Sequence, residues 1–363
     1  MRILHLDSGS AWRGGQQQLH YLAKGLKQQG VQQHLGVRRG SPLASRAAHL
    51  NVPVTGLPLF SEFDAGSLFS LGGLIRRFRP QLIHAHDSRT LGLAVLLKSL
   101  GWGARIVAAR RVAFSIRRNR WWKFKYANQT NRIIAVSHHV RDLLIREGLE
   151  PRQVEVVYDA VETVPAESAS LRSSARRRLG ATDEEFLIGC VGQLTPEKGQ
   201  ELLIRGFADL LDVYPDSRLA LVGDGELRRE FQELIGELGL DRRAILTGFV
   251  SDLDSLLPAF DLLVHPSLAE GLGSVLLKGM AHRVPICASR TGGIPEVVVD
   301  GETGFLFPPG SPKGLVEAVV RARGSPELAR RQAERANARV LSDFSVERMV
   351  VGTCRIYSNV ING

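Results

Sequence analysis

Short runs of β-branched and apolar residues alternate along the chain with longer stretches in which apolar residues recur every three or four positions. The short runs are typical of buried parallel strands, and the longer stretches are typical of amphipathic helices that cover a sheet. The predicted strands are residues 3–6, 35–37, 82–84, 106–109, 133–136 and 154–157, followed by residues 187–191, 219–222, 244–247, 262–265, 286–288 and 304–307. The alternation predicts an α/β protein with doubly wound parallel sheets.

A segment rich in proline, alanine and serine, residues 164–170, separates the two series of strands and suits a linker. A length of 363 residues also suits two domains. We therefore expect a Rossmann-like domain over residues 1–164 and a second one over residues 165–345. Residues 346–363 are predicted to form a helix that packs back toward the first domain. The expected architecture is two such domains that face each other across a cleft.

The charge of the chain is unevenly distributed. Residues 1–164 carry 24 basic and 10 acidic side chains, whereas residues 165–363 carry 23 and 27. The partner of the first domain is therefore expected to be anionic. Three widely separated cysteines exclude a disulfide scaffold and a zinc ribbon. An acid at Asp7 comes too early for a secretory signal, so we expect a cytoplasmic protein.

Three loops of the second domain follow predicted strands, where open α/β sheets bind ligands. The first presents Lys198 at the start of a helix, where its ammonium could hold a diphosphate. The second carries Glu270 just before a helix whose N-terminal amides could bind an anion. The third, residues 291–296, contains a glycine pair. The ordinary structural alternatives are a solvated Lys198 and a Glu270 that only complements the helix dipole.

Five motifs in this half resemble the donor-binding half of the GT-B glycosyltransferases, specifically the large retaining family 4. They are Gly-Gln-Leu-Thr-Pro-Glu-Lys-Gly, Leu-Val-Gly-Asp-Gly-Glu-Leu, Glu-Gly-Leu-Gly, Gly-Gly-Ile-Pro-Glu and Asp-Gly-Glu-Thr-Gly-Phe-Leu. Their order and separations also resemble the family, and the first domain resembles it more loosely. The resemblance implies a GT-B fold and transfer of a sugar from a nucleotide-diphosphate sugar.

The resemblance also implies roles for individual residues. Lys198 matches the diphosphate-binding lysine, Glu270 matches the glutamate that positions the transferred sugar, and the backbone near Val250 would meet the nucleobase. The donor-binding positions that it implies are Gly14, Gly15, Gln193, Lys198, Val250, Glu270, Gly271, Leu272, Gly273, Ser274, Val275 and Lys278.

Two of these positions depart from the family. Gln193 stands where many members have an arginine that helps to neutralise the diphosphate. Lys278 stands where a second glutamate normally accepts hydrogen bonds from the ribose, and a lysine can only donate them. Either the donor differs, or the ribose is held by another group, or activity is weak. We favour a working enzyme with a shifted donor contact.

In the first domain the resemblance implies acceptor binding. Arg13 precedes the glycine pair Gly14–Gly15, whose backbone could approach the donor phosphates closely. His86, at the end of a predicted strand, falls where the family places a histidine beside the reacting sugar, so the catalytic candidates are His86, Lys198 and Glu270. Without the family, a histidine with an ordinary structural role at a strand end is the simpler interpretation of His86.

The most unusual segment lies between Asp87 and Asp142, where 54 residues contain no acid and 12 Lys or Arg. Aromatic residues interleave with these charges, which favours an element that lies on anionic lipid. Nucleic acid is the alternative partner. The candidate acceptor- or membrane-contacting residues are Arg13, Arg110, Arg111, Arg117, Arg118, Arg120, Trp121 and Trp122.

We therefore expect a retaining glycosyltransferase that acts on an anionic lipid-linked or lipopolysaccharide-type saccharide at the inner face of the plasma membrane. No Asp-x-Asp motif is placed to chelate a metal over the diphosphate, so the expected reaction needs neither a metal nor a cofactor. The alternatives are a sugar-nucleotide-binding pseudoenzyme, an epimerase of the same fold, and a protein that binds nucleic acid through residues 105–125.

Overall fold

The structure is a computed structural model that describes residues 1–102, 104–113, 120–164 and 169–363. It divides into two compact units. The first unit comprises Met1–Ala160 and Val346–Gly363, and the second comprises Val161–Ser345. The division falls a few residues before the boundary expected from the sequence. Most of the expected linker, residues 165–168, lies outside the described residues. Within the described residues, no helix is both long enough and apolar enough to cross a membrane.

The first unit contains a parallel sheet of seven strands, most of them buried on both faces. The strands are β1 Arg2–Asp7, β2 Gln32–Arg38, β3 Val54–Leu57, β4 Leu82–Ala85, β5 Arg105–Arg110, β6 Arg132–Ala135 and β7 Val154–Val156. Their order across the sheet is β3-β2-β1-β4-β5-β6-β7. Six of them match predicted strands, whereas the edge strand β3 was not predicted.

Helices cover both faces of this sheet, as the parallel topology requires. They are α1 Gly14–Gln28, α2 Pro42–Ala48, α3 Ala65–Phe78, α4 Ser88–Ser99, α5 Arg120–Trp122, α6 His138–Arg146 and, from the end of the chain, α14 Val346–Asn362. A π-helical turn, Lys123–Asn128, follows α5. Helix α14 packs against α1 and buries Tyr357 in a core shared with Ile3 and Leu22. The C-terminal helix is therefore an integral part of the first unit.

The second unit contains a parallel sheet of six strands, all of which match predicted strands. They are β8 Phe186–Val191, β9 Ser217–Val222, β10 Ala244–Gly248, β11 Leu262–His265, β12 Ile286–Ser289 and β13 Phe305–Phe307, in the order β10-β9-β8-β11-β12-β13. The helices are α7 Ala169–Arg178, α8 Gln200–Val213, α9 Arg228–Glu237, α10 Ser274–Ala281, α11 Ile294–Val297, α12 Pro312–Gly324 and α13 Pro326–Asp343.

Each sheet has one switch point, the place where the strand order reverses. In the first unit it lies between β1 and β4, and in the second between β8 and β11. The loops that leave two such neighbouring strands turn to opposite faces of the sheet, which opens a crevice at the carboxyl ends of the strands. This geometry brings the loop of Lys198 beside the loop of Glu270 in the second unit. In the first unit it brings the end of β1 beside His86.

Candidate functional site

The loop after β8 positions Lys198 through a single turn of 3-10 helix, Pro196–Lys198. The turn ends at Gly199, whose φ of 66° lies in the left-handed region that favours glycine. A Cβ at Gly199 would also collide with the carbonyl oxygen of Pro266, in the loop after β11. The two switch-point loops therefore approach each other as closely as glycine allows, which brings Lys198 to the second loop.

Glu270 forms a direct ion pair with Lys198. One carboxylate oxygen accepts hydrogen bonds from Lys198 Nζ at 2.6 Å, His265 Nε2 at 2.9 Å and Ser267 Oγ at 3.4 Å. Burial would raise the pKa of Glu270, but the His265 hydrogen bond and the Lys198 charge outweigh it and lower the pKa to about 2. Glu270 is therefore ionised at neutral pH and acts as an acceptor. The sequence placed both residues at the site but did not predict their contact.

The N-terminus of α10 begins directly after this pair. Gly273 has a φ of 91°, and the helix starts at Ser274. Among the described residues, no side chain caps this end of the helix. The N-terminus of a helix carries backbone N–H donors and a partial positive charge, so it suits an anion. Gly271 and Leu272 are buried in the same loop, while Val275 is half-buried on the first turn.

The third loop supports the backbone of Glu270. The Gly293 amide donates to the Glu270 carbonyl oxygen at 3.1 Å. A Cβ at Gly292 would collide with that same carbonyl oxygen, and a Cβ at Gly293 would collide with the carbonyl oxygen of Gly271. The glycine pair is therefore needed for close packing between two loops.

Gln193 is exposed at the mouth of the Lys198 loop, and its carbonyl oxygen accepts a hydrogen bond from Gln200 Nε2 at 2.9 Å. Two further polar atoms of this loop region, Thr195 Oγ1 and Gln200 Oε1, are buried without a hydrogen-bond partner among the described residues. Buried polar atoms are rarely left unpaired in a native structure unless a ligand or water meets them. Sequence reasoning missed both residues.

Lys278, one turn into α10, is nearly buried and paired. Its Nζ lies 2.6 Å and 2.8 Å from the two carboxylate oxygens of Asp254, and His282 Nε2 lies 3.0 Å from one of them. The sequence pointed to Lys278 but missed both partners; the spacing of Lys278 and His282 on one helix was an available signal. Val250, half-buried, lies in the same loop as Asp254.

In the first unit, His86 belongs to a cluster of three buried histidines at the β1/β4 switch point. His5 Nδ1 and His86 Nε2 are 3.1 Å apart, and His84 Nδ1 lies 2.5 Å from the hydroxyl of Tyr357. Burial lowers the pKa of His5 to about 3 and lowers the pKa values of His84 and His86 well below their usual range. The cluster is therefore neutral at pH 7.

Each of these three histidines offers one ring nitrogen within 4.8 Å of the other two, so the cluster is a group that could hold a metal ion. One nitrogen of each ring, including His86 Nδ1, has no partner among the described residues. A neutral imidazole can donate one hydrogen bond and accept another. The cluster can therefore also hold a hydroxyl group.

The loop after β1 is anchored by Asp7. Gln16 Nε2 lies 3.0 Å from both carboxylate oxygens, and the Gly9 amide donates at 2.9 Å. Burial and the nearby Asp87 carboxylate raise the pKa of Asp7 to about 6. Helix α1 begins at Gly14, directly after the exposed Arg13, and a Cβ at Gly15 would meet nothing within 4 Å. The backbone at Gly15 is thus open to a ligand.

The structure corrects the expectation for part of the basic aromatic segment. Trp122 is 5% exposed and stacks on Tyr126, so its indole cannot meet a membrane surface. Arg111 pairs with Asp159 at 3.1 Å, and Arg110 is half-buried beside Tyr126. These two arginines are thus engaged within the unit. Both are half-buried, and their contact with lipid or acceptor stays a prediction.

Other residues of the segment remain accessible. Arg120 is exposed, and Trp121 is half-buried with its ring 5.4 Å from that of Phe63. Arg117 and Arg118 lie outside the described residues. Sequence reasoning missed three phenylalanines between β3 and the second turn of α3: Phe60, Phe63 and Phe69 are 66%, 62% and 87% exposed.

Comparison with known proteins defines the class. The family model described as glycosyl transferases group 1 matches residues 172–339, and the one described as glycosyltransferase family 4 matches residues 12–164. The chain therefore belongs to the family 4 glycosyltransferases, and its two Rossmann-like parallel sheets are those of the GT-B fold. The family and fold expected from the sequence motifs are confirmed.

Individual relatives are more distant. The chain is 31% identical over 222 residues to the alpha-D-kanosaminyltransferase of Streptomyces kanamyceticus. The matched residues make up 60% of this chain and 57% of that protein. The chain thus spans less than two thirds of that relative. It is 23% identical over 311 residues, 82% of this chain and 80% of that protein, to an Escherichia coli UDP-Gal:alpha-D-GlcNAc-diphosphoundecaprenol alpha-1,3-galactosyltransferase. The structure of Anabaena HepE in complex with UDP-glucose superposes with a TM-score of 0.88 at 23% identity, over 99% of this chain and all of that one.

Proposed function

We propose that the protein is a hexosyltransferase that moves a sugar from a nucleoside-diphosphate sugar to a hydroxyl of a lipid-linked or lipopolysaccharide-type saccharide. The observation that carries the proposal is the Lys198–Glu270 ion pair, which lies at the switch point of the second sheet beside the N-terminus of α10. A cation, helix amides and an ionised acceptor within one crevice suit a ligand that carries both phosphate and hydroxyl groups.

The proposed reaction breaks the bond between the sugar carbon and the diphosphate oxygen and forms a bond from that carbon to the acceptor hydroxyl oxygen. The acceptor proton passes to an oxygen of the leaving diphosphate. Negative charge grows on the diphosphate as the first bond breaks, and the Lys198 ammonium and the α10 amides are placed to stabilise it. We propose that this stabilisation replaces a metal ion, and that the configuration is retained, as the family resemblance implies.

Glu270 has a different task in this scheme. Because its pKa is about 2, its carboxylate stays ionised and cannot donate a proton at neutral pH. Its proposed role is to accept hydrogen bonds from hydroxyls of the transferred sugar. Lys198 and His265 hold the carboxylate in one orientation for this purpose.

The first unit is proposed to bind the acceptor. His86 is neutral, and its buried Nδ1 has no partner among the described residues; its proposed role is to hydrogen-bond to the hydroxyl that receives the sugar. A lipid-linked acceptor is supported by the name of the Escherichia coli relative, which acts on a diphosphoundecaprenol-linked sugar. The net positive charge of residues 1–164 favours an acceptor that carries phosphate.

Membrane attachment is part of the proposal. The exposed Phe60, Phe63 and Phe69 can enter the headgroup boundary, and each fully buried phenylalanine contributes roughly 1.5 to 3 kcal/mol. The exposed Arg120 and Lys123 can meet anionic headgroups, each worth on the order of 1 kcal/mol. We therefore propose reversible attachment to the anionic inner face of the plasma membrane.

Vesicle flotation tests the attachment. The wild type should float with vesicles that contain anionic lipid and should not float with zwitterionic ones. A Phe60→Ala, Phe63→Ala, Phe69→Ala variant should float at least tenfold less. The matched control is Phe249→Ala, which removes an exposed phenylalanine of the second unit and should change nothing. If the protein binds RNA and no lipid, the nucleic-acid alternative replaces this part of the proposal.

The transfer itself is tested with radiolabelled UDP- and GDP-sugars and a bacterial lipid extract. The expected result is label in the organic phase together with release of the nucleoside diphosphate. Label that appears only in water-soluble products would contradict a lipid-linked acceptor. Tight binding of a sugar nucleotide without any release would indicate the pseudoenzyme.

A further inference from the structure

The cluster of Lys278, Asp254 and His282 in the second unit has the arrangement of a ligand contact. Lys278 and His282 are 10% and 3% exposed at their side chains, whereas the Asp254 side chain is 45% exposed. The two buried donors thus hold a carboxylate whose other side faces solvent. Burial would raise the pKa of Asp254, but its bonds with His282 and Lys278 lower it to about 2, so it is ionised at neutral pH.

The hydrogen-bonding capacity of Asp254 is not exhausted by these partners. An ionised carboxylate offers about four acceptor sites. Oδ1 accepts from Lys278 Nζ and His282 Nε2, whereas among the described residues Oδ2 accepts from Lys278 Nζ only. Oδ2 therefore retains room for a hydroxyl donor. The same partners make a divalent cation a poor occupant, because the carboxylate charge is already balanced by the Lys278 ammonium.

The position of the cluster indicates which hydroxyl groups of the ligand Asp254 would bind. Lys278 follows Ser274, at the N-terminus of α10, by four residues, so the two lie on one face of the helix about 6 Å apart along its axis. In the proposed function the diphosphate lies at that N-terminus, and Glu270 accepts hydrogen bonds from the transferred sugar. The remaining polyol close to the phosphates is the ribose of the nucleotide.

Resting on the proposed function, we infer that Asp254, positioned by Lys278 and His282, binds the nucleotide part of the donor by accepting hydrogen bonds from the ribose hydroxyls of the nucleoside diphosphate. The lysine at position 278 cannot accept such a bond. It instead orients a carboxylate from the loop after β10 that can. The departure of Lys278 from the family pattern is thereby accounted for within this chain.

Equilibrium binding of UDP, GDP and their 2′-deoxy counterparts tests the inference. The wild type should bind the better ribonucleotide at least tenfold more tightly than its deoxy form, the range expected when a hydrogen bond to a charged group is lost. Asp254→Asn should reduce this ratio to about threefold or less, since an amide is uncharged. The double variant Asp254→Asn, Lys278→Gln leaves no unpaired ammonium and should show the same loss if the single variant folds poorly.

The matched control is Asp252→Asn, in the same loop, which should keep the wild-type ratio. Equal affinity of the wild type for the ribo and deoxy forms, or an unchanged ratio in both Asp254 variants, would overturn the inference while leaving the proposed function intact. If neither UDP nor GDP binds the wild type, the proposed function itself fails and the inference falls with it.

Discussion

Replacing Lys198 by alanine removes the cation of the proposed site. Loss of one preorganised donor to a developing negative charge costs about 10² to 10³ in kcat, or about 2.7–4 kcal/mol. The Lys198 side chain is 24% exposed, so water can partly replace the ammonium. We therefore expect a loss near the lower end, about 100-fold in kcat. Glu270 keeps its His265 partner in this variant, so the loop should stay folded.

Release of the nucleoside diphosphate, followed under saturating donor and acceptor, measures this loss. The matched control is Lys313→Ala, which removes a lysine of the same unit whose side chain is 88% exposed and should leave kcat unchanged. The unfolding midpoint of Lys198→Ala should stay within a few degrees of the wild type. Turnover of a folded Lys198→Ala at the wild-type rate would refute the assignment of Lys198 to the leaving group.

Three further outcomes are expected. Gly292→Ala should lower the free energy of unfolding in urea by roughly 1–3 kcal/mol more than Gly301→Ala. Both glycines have positive φ, but of the two only Gly292 faces the Glu270 carbonyl. Equal losses would contradict the close packing of Gly292 against that carbonyl. Because the pKa of Glu270 is lower in the folded protein, stability should fall as the pH drops from about 4.5 toward 2, and Glu270→Gln should flatten this fall in melting temperature. The same variant should lose transfer while binding the free nucleoside diphosphate nearly normally; equal loss of both would place Glu270 elsewhere.

The strands were predictable because parallel strands buried on both faces appear as continuous apolar runs. The edge strand β3 escaped this pattern. Its burial is only partial, and Pro53 and Pro58 flank it so closely that the segment resembles a turn. Pairing with β2 on one side is what makes it a strand, and such a partner is not visible in the local sequence.

The site was predictable only in part. Lys198 and Glu270 are 72 positions apart, and motifs located each of them. Their contact follows from the close approach of two loops at a switch point, which the sequence does not encode locally. Asp254 was missed because an aspartate in a loop usually faces water. Trp122 was misjudged because its four-residue spacing from Tyr126, typical of one helix face, was outweighed by the surrounding charges.

Thermal unfolding of the wild type and of Lys198→Ala with UDP- and GDP-sugars tests the central claim most directly, since a ligand that binds the native state raises its melting temperature. The proposed donor site predicts that at least one sugar nucleotide stabilises the wild type by several degrees. It also predicts that most of this shift is lost in Lys198→Ala. No shift with any sugar nucleotide, or an equal shift in both proteins, would contradict a donor site built on Lys198 and Glu270.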